Sequence, residues 1–167
     1  MRNVFYTKSN IATYIIDLMK IYDTSNTLWI DPCSGKGAFL NLMPDDRRIG
    51  IDIVKRPNSI KMDFMNYECN YDDVIIASNP PFGKRGSIAK MFIEKSMTMS
   101  KYIAFIVPKG CVTKSYLSYI KTKGYNIYVE SLPSDIFTTP TGIDFDMPTY
   151  LLILTQTFSH RKSFLNN

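Results

Sequence analysis

The sequence predicts one α/β domain, a largely parallel sheet with helices on both faces. Three observations carry this. Short runs of apolar residues recur along the chain, nearly continuous rather than alternating, as strands buried on both faces should be. Between several of them lie stretches with the i, i+3, i+4, i+7 spacing of amphipathic helices. Turn-forming residues cluster after the strand ends, where sheets of this kind bind their ligands. With 167 residues and 19.2 kDa the chain suffices for one core and is short for two ordinary domains, so the domain is expected to span residues 1–167.

The first periodic segment is Ile11, Tyr14, Ile15, Leu18, Met19 and Tyr22, with Ser9 and Asn10 as candidate N-caps, and it reads as a helix. Thr27 to Asp31 is a short apolar strand, broken by Pro32-Cys33-Ser34-Gly35-Lys36-Gly37, after which Ala38 to Leu42 resumes in helix formers. Arg48 to Ile53, Ser59 to Met62 and Asp73 to Ser78 are the next strands, the last ending at Asn79-Pro80-Pro81-Phe82. Ile88, Met91, Phe92, Lys95 and Met99 mark a helix, Tyr102 to Val107 a strand stopped by Pro108, and Cys111 to Lys123 a helix that Gly124 terminates. Tyr125 to Glu130 and Thr149 to Thr155 have no helical pattern between them, so these last two strands are expected to pair antiparallel. The count is seven strands. The ends that carry functional information are Asp31, Asp52, Asp63 and Asn79.

Composition excludes whole classes. Hydrophobic content of 45% and charged content of 21% rule out a disordered or collagen-like chain. No apolar run approaches the roughly 20 residues that span a bilayer, and Met1 to Tyr6 lacks the apolar stretch of a secretory signal, so an intracellular, cytoplasmic protein without a membrane partner is expected. Three scattered cysteines, Cys33, Cys69 and Cys111, argue against a disulfide framework and a zinc site. The single histidine, His160, leaves too few parts for Ser-His-Asp chemistry or a histidine metal site, and no metal is expected. A net charge of +5 and a pI near 9.0 favour an anionic partner such as nucleic acid, although an AT-rich coding bias toward lysine produces the same balance.

Gly35 and Gly37, following one strand, allow the backbone to turn sharply and approach a ligand closely. Asp52, at the end of the next strand, sits where a carboxylate accepts both hydroxyls of a ribose. Leu40 occupies the position where a dinucleotide fingerprint needs its third glycine, and neither Gly35-Lys36 nor Gly83-Lys84 has the spacing of a phosphate loop. A nucleoside ligand without phosphate remains, and S-adenosylmethionine is the commonest such cofactor.

Asn79-Pro80-Pro81-Phe82 is the most informative stretch. Two successive prolines make a stiff loop with outward-facing carbonyls free of ladder bonds. The amine of a base or amide is a poor nucleophile because its lone pair is delocalised. If the Asn79 side-chain oxygen and the Pro80 carbonyl each accept one N–H, the nitrogen rehybridises and presents its lone pair to a sulfonium methyl, and both acceptors gain strength as charge develops in the transition state. Phe82 would stack on the ring that bears the amine.

In these motifs the sequence resembles the S-adenosylmethionine-dependent amino-methyltransferases, particularly the adenine N6 branch, from Phe5 to about Thr155. The resemblance implies a class I methyltransferase, Rossmann-like fold: a mostly parallel seven-stranded sheet with an antiparallel last strand. It implies that Thr7, Asp31, Pro32, Cys33, Gly35, Gly37 and Phe39 frame the methionine end of the cofactor. Asp52 and Ile53 would lie at the ribose, Asp63 and Phe64 at the adenine, and Asn79 to Phe82 at the catalytic position.

Lys36 departs from the small or hydroxyl residue often found between the glycines, and Phe82, where many DNA enzymes have Tyr, tilts the reading slightly toward RNA. No target-recognition domain is visible, so target reading is expected from short loops, from RNA structure or from a partner subunit. Lys84 and Arg85, with Lys109 nearby, are candidates for phosphate contacts, and Phe137 or Phe145 in the long loop before the last strand for contacts to a flipped base. Two rival readings stand beside this one: a protein glutamine N5-methyltransferase, whose amide poses the same chemical problem, and a non-catalytic nucleic-acid-binding subunit of a methyltransferase heterodimer.

Overall fold

The computed structural model describes residues 6–139, 141, 142, 144, 145 and 147–156, and for 144 and 145 the backbone alone. In chain order the elements are β1 (Tyr6–Thr7), α1 (Ser9–Met19), β2 (Leu28–Asp31), β3 (Arg48–Asp52), β4 (Ser59–Lys61), β5 (Val74–Ser78), α2 (Ser87–Met97), β6 (Tyr102–Pro108), α3 (Lys114–Thr122), β7 (Asn126–Ser131), β8 (Phe137–Thr138), β9 (Asp144–Phe145) and β10 (Thr149–Thr155). Seven strands form the main sheet in the order β4-β3-β2-β5-β6-β10-β7. The first five run parallel, and β10 lies antiparallel between β6 and β7.

Strand β5 shows why the apolar runs are continuous. Ile75 and Ala77 face one layer, with Ala12, Ile15, Ile16 and Met19 of α1 and Trp29 of β2. Val74 and Ile76 face the other, with Phe92 and Ile93 of α2 and Ile120 of α3. Every residue of β5 is buried, so its sequence carries no polar alternation. The chain winds outward in one direction through β2, β3 and β4 and in the other through β5 and β6. The crevice beyond the adjacent C-terminal ends of β2 and β5 is therefore the topological switch point. Asp31 ends β2, and Asn79 follows β5.

Three expectations are corrected. Ser9 and Asn10 do not cap α1 but lie inside it. Lys8 is the N-cap: its carbonyl accepts the Ile11 and Ala12 N–H groups at 3.2 Å, its backbone N–H donates to the Ile136 carbonyl at 2.9 Å, and its ammonium carries no acceptor atom with which to make a side-chain cap bond. No α-helix follows the glycine loop. Residues 38–43 reach Pro44 too soon for two turns, the residue before a proline avoids the helical region, and only a 3₁₀ turn forms at Leu40–Leu42. The long segment before β10 is not a simple loop: β8 pairs with β1 on one side and β9 on the other in a second, three-stranded antiparallel sheet. Among the described residues no helix is long and apolar enough to cross a membrane.

Candidate active site

The glycine loop is held by the ends of β2 and β3. Gly35 and Gly37 adopt φ of 52° and 86°, the left-handed region in which a side chain is strained. The Gly35 N–H donates to Asp52 Oδ2 at 2.9 Å, the Val54 N–H to Asp52 Oδ1 at 2.8 Å, and the Ser34 N–H to the Ile51 carbonyl at 2.9 Å. The Arg56 Nε stands 3.6 Å from Asp52 Oδ2. Each Asp52 oxygen has thus spent one acceptor position on the backbone and keeps another. Ile53, next in the chain, is 54% exposed at the same strand end.

Asp31 and Pro32 are buried beneath this loop. Asp31 Oδ1 accepts the Ser78 hydroxyl at 2.6 Å and the Cys33 N–H at 3.3 Å. Burial pushes its carboxyl up to about 7, and these two donors oppose the rise. Cys33 Sγ lies 3.0 Å from Ser78 Oγ and donates to the Asn79 carbonyl at 3.1 Å. Burial and the neighbouring Asp31 push the Cys33 thiol well above its ordinary value, which keeps it a protonated donor and makes it no nucleophile.

The Asn79 Oδ1 atom is buried with no hydrogen-bond partner. A buried amide oxygen without a donor costs about 1–3 kcal/mol, and native structures rarely tolerate one without a use. Pro80 is buried, Pro81 exposed and Phe82 half-buried. The Phe82 carbonyl accepts the N–H groups of Ile88 and Ala89 at 3.1 and 3.3 Å, so the first turn of α2 anchors the far end of the tetrapeptide. Asn79 and Phe82 are fixed; the prolines between them supply stiffness and no donors.

Beyond Phe82, the 3₁₀ turn Lys84–Gly86 exposes Lys84 and Arg85, and Arg85 adopts φ 53°, a left-handed conformation that costs a non-glycine residue about 1 kcal/mol or more. Gly110 packs against the Arg85 carbonyl and carries Lys109 to the same rim. Lys84, Arg85 and Lys109 form no ion pair among the described residues.

Thr7, in β1, pairs with Phe137, and the Lys36 Nζ lies 4.0 Å from the centre of the Tyr6 ring, so the N-terminal strand is brought to the glycine loop. Three sequence expectations need correction. The Phe137 ring is fully buried, edge-on to Phe82, and backs that ring instead of meeting a flipped base. Phe64 is turned into the core and stacks on Phe92 at 5.3 Å, while Asp63, exposed beside Lys61 and Met62, accepts the Met65 N–H on Oδ1 at 2.9 Å. Phe39 is likewise buried, under the glycine loop. Phe5, His160 and the Phe145 side chain lie outside the described residues. Sequence reasoning missed Ser78, although a hydroxyl ending the apolar run Val74 to Ala77 was a signal.

No protein-family model matches the sequence, and no curated protein is significantly similar to it. Solved structures are. A candidate RNA methyltransferase from Pyrococcus horikoshii superposes with a TM-score of 0.67 at 15% identity, over 89% of this chain and 85% of that one. The 23S rRNA methyltransferase ErmE gives 0.67 at 14% identity, over 92% of this chain and 70% of that one. Magnesium protoporphyrin IX methyltransferase from Synechocystis, solved with S-adenosylmethionine bound, gives 0.64 at 11% identity, over 89% of this chain and 79% of that one. The fold is that of the class I methyltransferases. In that class I methyltransferase fold the switch-point crevice has the glycine loop on one wall and Asn79 to Phe82 on the other. The groups present suit an adenosyl ligand: a backbone cradle opened by two left-handed glycines, a carboxylate with acceptor capacity to spare, and a buried amide oxygen without a donor after the neighbouring strand.

Proposed function

We propose that this chain is an enzyme that transfers a methyl group from S-adenosylmethionine to the N6 amine of adenine in nucleic acid, with RNA favoured over DNA. The observation that carries the reading is the buried, unpartnered Asn79 Oδ1 on a proline-stiffened loop beside the glycine cradle. When bound, the cofactor supplies an electrophilic sulfonium methyl. The rest is positioning. Asp52, with Ile53 against the sugar, accepts the ribose hydroxyls, Asp63 serves the adenine end, and Asp31, Gly35, Gly37 and Thr7 shape the methionine end, while the Cys33 thiol is turned to Ser78 and Asn79. Asn79 Oδ1 and the Pro80 carbonyl each accept one N–H of the substrate amine. They pull its lone pair out of conjugation and hold it toward the methyl, and they bind the developing positive charge more tightly than the ground state; as N–CH3 forms and S–CH3 breaks, the sulfonium would leave as the neutral sulfide and the methylated amine would shed one proton to solvent. Phe82, backed by Phe137, stacks on the base; Lys84 and Arg85 receive the flanking phosphates. A paired adenine would have to be extruded first. A partner subunit that supplies target recognition is compatible with this rim.

The decisive experiment incubates the protein with labelled S-adenosylmethionine and, separately, RNA, single-stranded DNA, duplex DNA and a release-factor protein, then identifies the methylated product. Label at N6 of adenine supports the proposal; label in protein alone establishes the glutamine reading in its place. Asn79→Ala is expected to lower kcat by about 10² while cofactor affinity stays nearly constant, as loss of a transition-state acceptor requires. Equal losses in both would make Asn79 a structural residue.

A further inference from the structure

The catalytic tetrapeptide has few tethers, because its two prolines have no N–H to give. Its exit is anchored on α2 through the Phe82 carbonyl. At its entry, directly after Ser78 of the β5–β6 ladder, the Cys33 thiol of the opposite loop donates to the Asn79 carbonyl at 3.1 Å. That thiol is itself placed. The single hydroxyl hydrogen of Ser78 points to Asp31 at 2.6 Å, so in the 3.0 Å contact between Cys33 Sγ and Ser78 Oγ the sulfur is the donor, and its S–H is shared between Ser78 and Asn79. The Cys33 N–H rests on the same Asp31 oxygen at 3.3 Å. Asp31 and Ser78, each 1% exposed, give this arrangement a dry setting in which a weak donor counts for more than in water.

We propose that Cys33 is a positioning residue: its thiol, oriented by Ser78 and Asp31, pins the Asn79 main chain to the glycine loop and so sets the aim of the Asn79 carboxamide at the substrate amine. This rests on the methyl-transfer reading above. The pin also joins two functions, because the loop that carries it closes on Asp52 through the Gly35 N–H.

The test uses Cys33→Ala, which removes the donor, Cys33→Ser, which keeps one, and Ser78→Ala, which removes its guide. Cys33→Ala and Ser78→Ala are expected to lower kcat about tenfold with cofactor Kd, by calorimetry, changed less than about threefold, and Cys33→Ser to recover most of the loss. Unchanged kcat in Cys33→Ala, the same loss in Cys33→Ser, or a Kd that rises in step with the fall in kcat each overturns the proposal. A second readout needs no substrate. The infrared difference spectrum between wild type and Cys33→Ala isolates the Cys33 S–H stretch from those of Cys69 and Cys111. A band below the free-thiol frequency that moves upward in Ser78→Ala supports the pin, and a band at the free-thiol frequency overturns it. A lowered band in a protein that methylates nothing overturns the reaction reading and leaves the pin standing.

Discussion

The ring of Phe82 meets the ring of Phe137 edge-on, with centroids 6.3 Å apart and planes at 67°. One residue follows the proline pair and the other lies in β8, more than fifty positions later, where it pairs with Thr7 of the N-terminal strand. The stacking platform proposed for the base is thus braced by a small sheet built from segments far apart in the sequence. Phe137→Leu is expected to cost about 1–2 kcal/mol in urea unfolding, combining lost area with an aromatic contact of about 0.5–1.5 kcal/mol. The KM for nucleic acid should rise several-fold as Phe82 loses its support; an unchanged KM would show that Phe82 keeps its pose unaided.

Asp31 makes the fold sensitive to pH in an unusual direction. Burial raises its pKa from 3.8 to about 7, so the folded state favours the neutral acid more than the unfolded chain does. Its contribution to stability is therefore fully present below about pH 4 and is lost as pH rises through about 7. Asp31→Asn is neutral throughout. Between those limits wild type should lose stability relative to Asp31→Asn by up to about 1.4 kcal/mol per pH unit, measured from paired urea midpoints. Parallel pH profiles for the two proteins would remove Asp31 as the titrating group.

Lys84 and Arg85 are exposed cations that form no ion pair among the described residues, and Arg85 holds a left-handed backbone that asparagine tolerates well. The pair Lys84→Gln with Arg85→Asn should leave thermal stability unchanged or slightly higher. The slope of log affinity against log salt for a short RNA should become shallower by about 0.7–0.9 for each phosphate that is no longer neutralised. An unaltered slope in fluorescence anisotropy would mean that these cations are bystanders.

Gly110 has an ordinary backbone conformation, so its role is purely steric: a methyl group there would overlap the Arg85 carbonyl. Gly110→Ala is expected to cost about 1–3 kcal/mol as the loop bearing Lys109 is pushed away from that bearing Arg85. A melting temperature equal to wild type would show that the two loops separate freely.

How much of this was legible in the sequence follows from where each signal is encoded. The sheet was readable because Val74 to Ala77 and Ile103 to Val107 are buried on both faces, which a run of apolar letters states directly. Asn79 and Asp52 were readable because prolines and glycines mark their backbone requirements locally. The failures share a cause. Ala38 to Leu42 has helix-forming composition, yet its length before Pro44 decides otherwise. Phe137 and Phe64 are aromatic residues in or near loops, and only tertiary contacts reveal that their rings turn inward. Ser78 and Cys33 form their network across 45 positions, a relation that no local pattern records.

The place of β10 bears on how the polypeptide assembles during synthesis. Strands β6 and β7 emerge first, yet the final sheet keeps them two strand spacings apart, about 9.5 Å, with Thr149–Thr155 filling the slot and hydrogen-bonding to both. Until that strand leaves the ribosome, β7 has no ladder partner in this sheet, and its backbone N–H and C=O groups stay unpaired there. The nascent protein therefore passes through a stage with an open seam, and the keystone is translated only after both of its flanks.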